Sequence, residues 1–232
     1  MPDNRTMIIT GASSGIGAAT ARKAASEGWK LVLAARSTEK LDALADELGG
    51  SEVAVPFTSD VNDWESQRAL NALALESFGS IDAVFANAGF GGPGGFTQST
   101  PEAWQNMVMT NVYGAALTVR ANIESLKESK GHLLLTGSVA GRRAIPGSLY
   151  SCTKWAVTAM GEAVRGEVAG SGVRVTLIEP GIVATPFWDD GKGPIEHPLQ
   201  EDDVAGAVMW ALNQPPHVDV NEILMRPADQ AV

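Results

Sequence analysis

The strongest constraint on the fold is an alternation of strand-like and helix-like segments that runs nearly the whole length of the 232-residue chain. Short apolar runs at 7–10, 31–35, 53–57, 81–86, 132–136, 173–178 and 222–225 read as strands. Between them, helical patterns are expected over 15–27, 38–48, 63–78, 101–129, 149–169 and 205–212. In the second of these, Leu41, Leu44, Ala45 and Leu48 fall on one face. Pro101 suits a first helical turn, with Thr100 as its N-cap. Repeated strand–helix units imply a parallel sheet covered by helices on both faces. Right-handed crossovers then make the sheet doubly wound, with ligands expected at the carboxyl ends of its strands. The expectation is a single α/β domain over residues 1–232 with about seven strands.

Composition narrows the partners. Hydrophobic residues make up 44% of the chain and charged residues 19%, a globular balance. A formal net charge of −10 disfavours nucleic-acid or anionic-membrane binding, both of which need basic surface. No apolar run approaches the ~18 residues that suggest a spanning helix. The start, Met1-Pro2-Asp3-Asn4-Arg5, shows no signal-peptide pattern. Cys152 is the one cysteine and cannot form an internal disulfide, which fits a reduced, cytoplasmic setting. Its position in a helix suggests a small buried residue. His197 has no partner at metal-ligand spacing, so no metal is expected.

Thr10-Gly11-Ala12-Ser13-Ser14-Gly15-Ile16-Gly17 stands where the first strand passes into the first helix. A phosphate group needs close backbone approach and the positive end of a helix dipole. Side chains at Gly11, Gly15 or Gly17 would obstruct that approach or the helix–strand packing, whereas Ser13 and Ser14 can donate hydroxyl hydrogen bonds. The end of the second strand bears on the choice of cofactor. A carboxylate there would bind the free 2′-hydroxyl of NAD. The strand instead ends Ala34-Ala35-Arg36, with no carboxylate before Glu39, and Arg36 can hold a 2′-phosphate. NADP(H) is therefore favoured over NAD(H). After the third strand, two roles are open to the Asp60-Val61 pair: contact with adenine, or helix capping near Asn62 and Asp63. Asn87-Ala88-Gly89 ends the fourth strand with residues small enough to pass close to a flat nucleotide, or to make an ordinary turn.

Tyr150 and Lys154 are four residues apart early in a helix, which puts them on one face. A free phenol titrates near ~10, and bringing it to ~7 takes about 4 kcal/mol of preferential phenolate stabilisation. A neighbouring ammonium in a partly dry cleft contributes in that direction. Ser138 follows the fifth strand, at the same edge of the sheet, and can donate to a substrate oxygen. Asn111, a poor helix former inside 101–129, can kink that helix and hold a water near Lys154.

Together the glycine turn 10–17, Asn87-Ala88-Gly89, Asn111, Ser138, Tyr150-x-x-x-Lys154 and Pro180-Gly181-Ile182-Val183-Ala184-Thr185 resemble the short-chain dehydrogenases/reductases in order and spacing, over essentially the whole chain. The resemblance implies a Rossmann-like fold and a catalytic set of Asn111, Ser138, Tyr150 and Lys154. It also implies that Lys154 bonds the nicotinamide ribose, and that Val183 and Thr185, after Pro180 and Gly181, contact the carboxamide. The implied activity is NADP(H)-dependent interconversion of a carbonyl and a secondary alcohol on a small molecule. A non-turnover NADP-sensing regulator shares the fold, and the intact Ser138/Tyr150/Lys154 set favours the enzyme over it; an epimerase or dehydratase using the same bound cofactor is a further alternative, distinguished by no net cofactor consumption.

Candidate pocket walls are Phe90, Ala140, Arg142, Arg143, Ile145, Phe187 and Trp188, with Arg142 or Arg143 able to bind a substrate carboxylate. The 173–181 stretch and the ending 220–227 look like the branch that oxidises 3-hydroxy acids such as serine. The 187–200 segment is short for a substrate lid, which suggests a small or open site. The helices 101–129 and 149–169 resemble those that pair across subunits in this family. The second carries Ala156, Ala159, Gly161, Ala163 and Gly166, so a homotetramer, or at least a dimer, is expected.

Overall fold

The computed structural model describes residues 5–92, 94–188, 191 and 194–231. Met1–Asn4, and positions 189, 190, 192 and 193 of the 187–200 segment, lie outside the described residues. The seven strands are β1 (Thr6–Thr10), β2 (Lys30–Ala35), β3 (Ala54–Thr58), β4 (Ala83–Ala86), β5 (His132–Thr136), β6 (Arg174–Pro180) and β7 (Glu222–Met225). They form one all-parallel sheet in the order β3-β2-β1-β4-β5-β6-β7. The helices are α1 (Gly15–Ser26), α2 (Thr38–Glu47), α3 (Trp64–Phe78), α4 (Pro101–Val108), α5 (Ala115–Ser129), α6 (Leu149–Glu167) and α7 (Glu201–Leu212).

Both faces of the inner strands β1, β2, β4, β5 and β6 are dry, which is why they read as apolar runs. On one face Ile9, Leu33, Phe85, Leu134 and Ile178 pack against the alanines of α1 and against Val204 and Val208 of α7. On the other, Ile8, Val32, Val84, Leu133 and Leu177 meet Leu70 of α3, Leu126 of α5 and Val157 of α6. Successive residues of one strand thus serve opposite cores, as the two-residue period requires. The strand order reverses between β1 and β4, the switch point at which a sheet of this kind opens a ligand crevice.

Two boundaries differ from expectation. The helix expected over 101–129 is interrupted by a wider π-turn at Met109–Gly114, centred near Asn111. Helix α7 begins at Glu201 rather than 205, because the Gln200 N–H donates to the Asp203 carboxylate at 2.8 Å and caps a polar first turn. That turn carries no apolar periodicity to read.

Candidate active site

The crevice opens into a cleft of about 780 Å³ whose walls come from the carboxyl ends of the strands. At its β1 end, Gly11 has φ +67° and Gly15 φ +57°, a left-handed backbone that favours glycine. A Cβ on Gly11 would stand 2.9 Å from the Ala88 Cα, and one on Gly17 would meet the Gly11 carbonyl and, at 2.8 Å, the Asn87 amide. Ser14 is the N-cap of α1, yet its hydroxyl makes no capping bond and is exposed. The first turn of α1 therefore presents unpaired N–H groups at a glycine-shaped hollow, where Ser13, Ser14 and Ile16 also line the cleft. This hollow fits the diphosphate of a dinucleotide.

Farther along the same wall stand Ala35, Arg36, Ser37, Ser59, Asp60 and Val61. Arg36 is exposed and, among the described residues, makes no ion pair. Asp60 serves its own turn, accepting from the Asn62 N–H at 2.9 Å while facing the cleft, and Asp63 rather than Asp60 caps α3.

Asn87 ties three strand ends together. Its Nδ2 donates to the Thr10 carbonyl at 3.1 Å, and its Oδ1 accepts from the Thr136 hydroxyl at 3.0 Å. The Thr10 hydroxyl accepts from the Asn87 and Ala88 N–H groups at 3.0 and 3.2 Å. These bonds hold the loop after β4 against β1 and keep Ala88 and Gly89 on the cleft wall.

Asn111 joins the same loop to α6. It bonds the backbone of Phe90 in both directions, at 3.0 and 2.9 Å, and donates to the Thr153 hydroxyl at 3.1 Å. A Cβ on Gly89 would lie 3.2 Å from the Asn111 Oδ1 and 3.7 Å from the Lys154 Nζ, so the absence of a side chain there keeps the two close.

Tyr150 and Lys154 both project from α6, whose N-cap Ser148 accepts from the Ser151 N–H at 3.1 Å. The Lys154 Nζ lies 5.6 Å from the Tyr150 ring centroid and donates to the Thr136 carbonyl at 2.7 Å. Burial pushes the Lys154 ammonium down to about 8. Burial also pushes the Tyr150 phenol up to about 12, against a hydrogen bond with Ser138 that pulls it down. Ser138 is buried, and its Oγ accepts from the Ala140 N–H at 3.1 Å. The arrangement places a hydroxyl donor, a phenol and an ammonium in one cleft.

Beyond Tyr150 the chain leaves β6 through Pro180, Gly181, Val183 and Thr185, all on the cleft wall. The Phe187 ring packs edge-on to Tyr150, with centroids 5.5 Å apart. Arg142, expected to meet a substrate carboxylate, points elsewhere. Its Nε donates to both oxygens of Glu179, at 2.8 and 2.9 Å, and its guanidinium also pairs with Glu222. Glu179 is fully buried on β6 and requires a counter-charge, which commits Arg142 to it. Arg143 is exposed, and Cys152, expected to be buried, is exposed as well.

Thr136, Thr153 and Gln230 also matter to the cleft and were not singled out from the sequence. Thr136 has a readable signal, a hydroxyl residue ending β5. Gln230, whose Oε1 accepts from the Ile182 N–H at 2.9 Å, arrives from the far end of the chain with no motif around it.

The profile of a family described as short chain dehydrogenase matches residues 5–192. An uncharacterised oxidoreductase of Staphylococcus saprophyticus is 37% identical, over 97% of each chain. The solved alcohol dehydrogenase of the archaeon Thermococcus sibiricus, complexed with 5-hydroxy-NADP, is 34% identical over 98% of each chain, with a TM-score of 0.89. A closed serine dehydrogenase complexed with NADP+ is 31% identical over 98% of this chain and 96% of its own, with a TM-score of 0.92. Among solved relatives the bound cofactor is NADP in some and NADH or NAD in others.

Proposed function

The chain belongs to the short chain dehydrogenase family of oxidoreductases, and on that premise we propose that it interconverts a small carbonyl compound and a secondary alcohol with NADP(H), using Tyr150 as acid/base. The observation that carries this reading is the meeting of Ser138, Tyr150 and Lys154 in the same cleft as the Gly11–Gly17 hollow. Gly11–Gly17, Arg36 and the Pro180–Thr185 loop would hold NADP, which would supply a nicotinamide ring able to accept or return the hydride and positive when oxidised.

The protein's own residues handle the proton. In oxidation the alcohol hydroxyl sits between Ser138 and Tyr150, and the phenolate of Tyr150 takes its proton as the C–H hydride leaves. One alcohol and one oxidised cofactor thus give one carbonyl compound, one reduced cofactor and one proton. Ser138 hydrogen-bonds the substrate oxygen as charge develops on it. Lys154, fixed by the Thr136 carbonyl, stabilises the phenolate. Asn111 acts as a positioning residue, tying Phe90 to Thr153 beside Lys154.

Support for NADP over NAD is the free guanidinium of Arg36 on the cleft wall, with no carboxylate at the end of β2. Binding of NADP+ and NAD+ measured by calorimetry is expected to favour NADP+. Arg36→Ala should weaken NADP+ binding roughly 10–100-fold, the loss of one charge-assisted contact. Tighter binding of NAD+, or no loss in the variant, overturns that choice. A second reading, oxidation of a 3-hydroxy acid, draws on the likeness to serine dehydrogenase.

Assembly as a homotetramer, or at least a dimer, is supported by α6. Gly161 faces Leu177 of its own sheet, whereas Ala159, Ala163 and Gly166 lie on an exposed face beside exposed Trp155. Among the described residues no helix is long and apolar enough to cross a membrane. No cluster of three His, Cys, Asp or Glu among them could hold a metal. The lone, exposed thiol of Cys152 suits a reducing cytoplasm.

A further inference from the structure

We propose that Phe187, seated against Gly91, selects an uncharged substrate bearing a flat apolar group beside its reacting carbon, in preference to a hydroxy acid of similar size. The inference rests on the reading of Tyr150 as the residue that meets the substrate oxygen. The tip of the Phe187 ring occupies the space a side chain at 91 would fill. A Cβ there would stand 3.1 Å from both Cε atoms of the ring and closer still to its tip. The ring also meets Tyr150 at 61° and Trp188 at 71°, with centroids 5.5 and 5.2 Å away. Phe187 therefore bridges the mouth of the cleft from α6 to the loop after β4, yet remains 42% exposed. Phe187 and Ile145, the latter 47% exposed, line the cleft together with Tyr150 and offer apolar surface to a substituent of a carbonyl carbon bound at Tyr150.

Charge points the same way. Apart from Lys154, which is held by Thr136, the only described charged side chains on the cleft wall are Arg36 and Asp60 at its far end. Arg142, the cation the sequence places nearest Ser138, is neutralised by Glu179 and Glu222. A carboxylate entering beside Phe187 would lose its hydration without gaining a partner from these residues.

The test compares 1-phenylethanol, 2-propanol and 3-hydroxybutyrate as substrates with NADP+. Calorimetry then measures binding of acetophenone and acetoacetate to the cofactor-saturated protein. The expected result is kcat/KM at least about tenfold higher for 1-phenylethanol than for 3-hydroxybutyrate, with acetophenone the tighter ligand. Phe187→Ala should remove most of the advantage of 1-phenylethanol over 2-propanol. Gly91→Ala, whose methyl group displaces the ring, should do the same. Preference for 3-hydroxybutyrate with intact turnover overturns this inference alone, as does an equal loss on all substrates in both variants. No turnover of any alcohol and no ligand binding would overturn the reading of the site, and this inference with it.

Discussion

Tyr150 starts farther from a working base than a free phenol does. Burial pushes it up to about 12, against a hydrogen bond with Ser138 that pulls it down. Bringing it to about 7 therefore takes roughly 7 kcal/mol of preferential phenolate stabilisation, at ~1.4 kcal/mol per unit. With its Nζ 5.6 Å from the Tyr150 ring centroid, the Lys154 ammonium contributes about 3 kcal/mol of phenolate stabilisation at an effective dielectric constant of 20, and the Ser138 hydrogen bond already lowers the phenol within that value. Without the ammonium the phenolate is less stable, the phenol pKa rises, and oxidation needs a higher pH. In Lys154→Met, the rise of alcohol oxidation with pH at saturating cofactor should shift upward by about two units. An inflection unmoved from the parent protein would remove Lys154 from this role.

Among the secondary-structure elements, the link between the turn after β5 and strand β6 has the sharpest energetic consequence. Arg142 leaves that turn to meet Glu179, a fully buried carboxylate that also accepts from the Thr158 hydroxyl at 3.1 Å. Arg142→Ala would strand that charge and should cost about 3 kcal/mol of stability. Adding Glu179→Gln should recover part of the loss, which denaturant unfolding of both variants would show. A cost within ±0.5 kcal/mol, typical of surface changes, would mean that the pair is not structural. This ion pair also shows where reading by residue type stops. A loop arginine near Ser138 looked like a substrate contact, and only the fold brings β6 and its buried acid beside it. The π-turn at Asn111 was more legible, because an asparagine inside an otherwise regular helical pattern signals a competing backbone arrangement. The ends of β1, β2, β4 and β5 are legible because each apolar run stops at a polar or small residue, and Gly11, Ala35, Asn87 and Thr136 line the cleft. Gln230 was not, since its place depends on β7 crossing to the sheet edge at Met225 and Pro180.

For the whole molecule, the alternation of short apolar runs and helical stretches carried nearly all of the architecture. A parallel sheet with two dry faces leaves that pattern and few others. Right-handed crossovers make such a sheet doubly wound and put ligands at the carboxyl ends of its strands, whereas the strand order, and with it the reversal between β1 and β4, is a property of the fold. Shape beyond one chain was less legible, because small residues on a helix serve either its own sheet or a partner. Gly161 does the first. Sedimentation at micromolar concentration should give a mass of two or four times 24.2 kDa, and a 24.2 kDa species would reject the pairing of α6 faces. The central claim is the role of Tyr150, and the most direct test is NADPH-linked reduction of a small ketone by Tyr150→Phe. Turnover should fall about 1000-fold, within the range for loss of a general acid, with NADPH binding retained. Turnover equal to that of the parent protein would contradict the account.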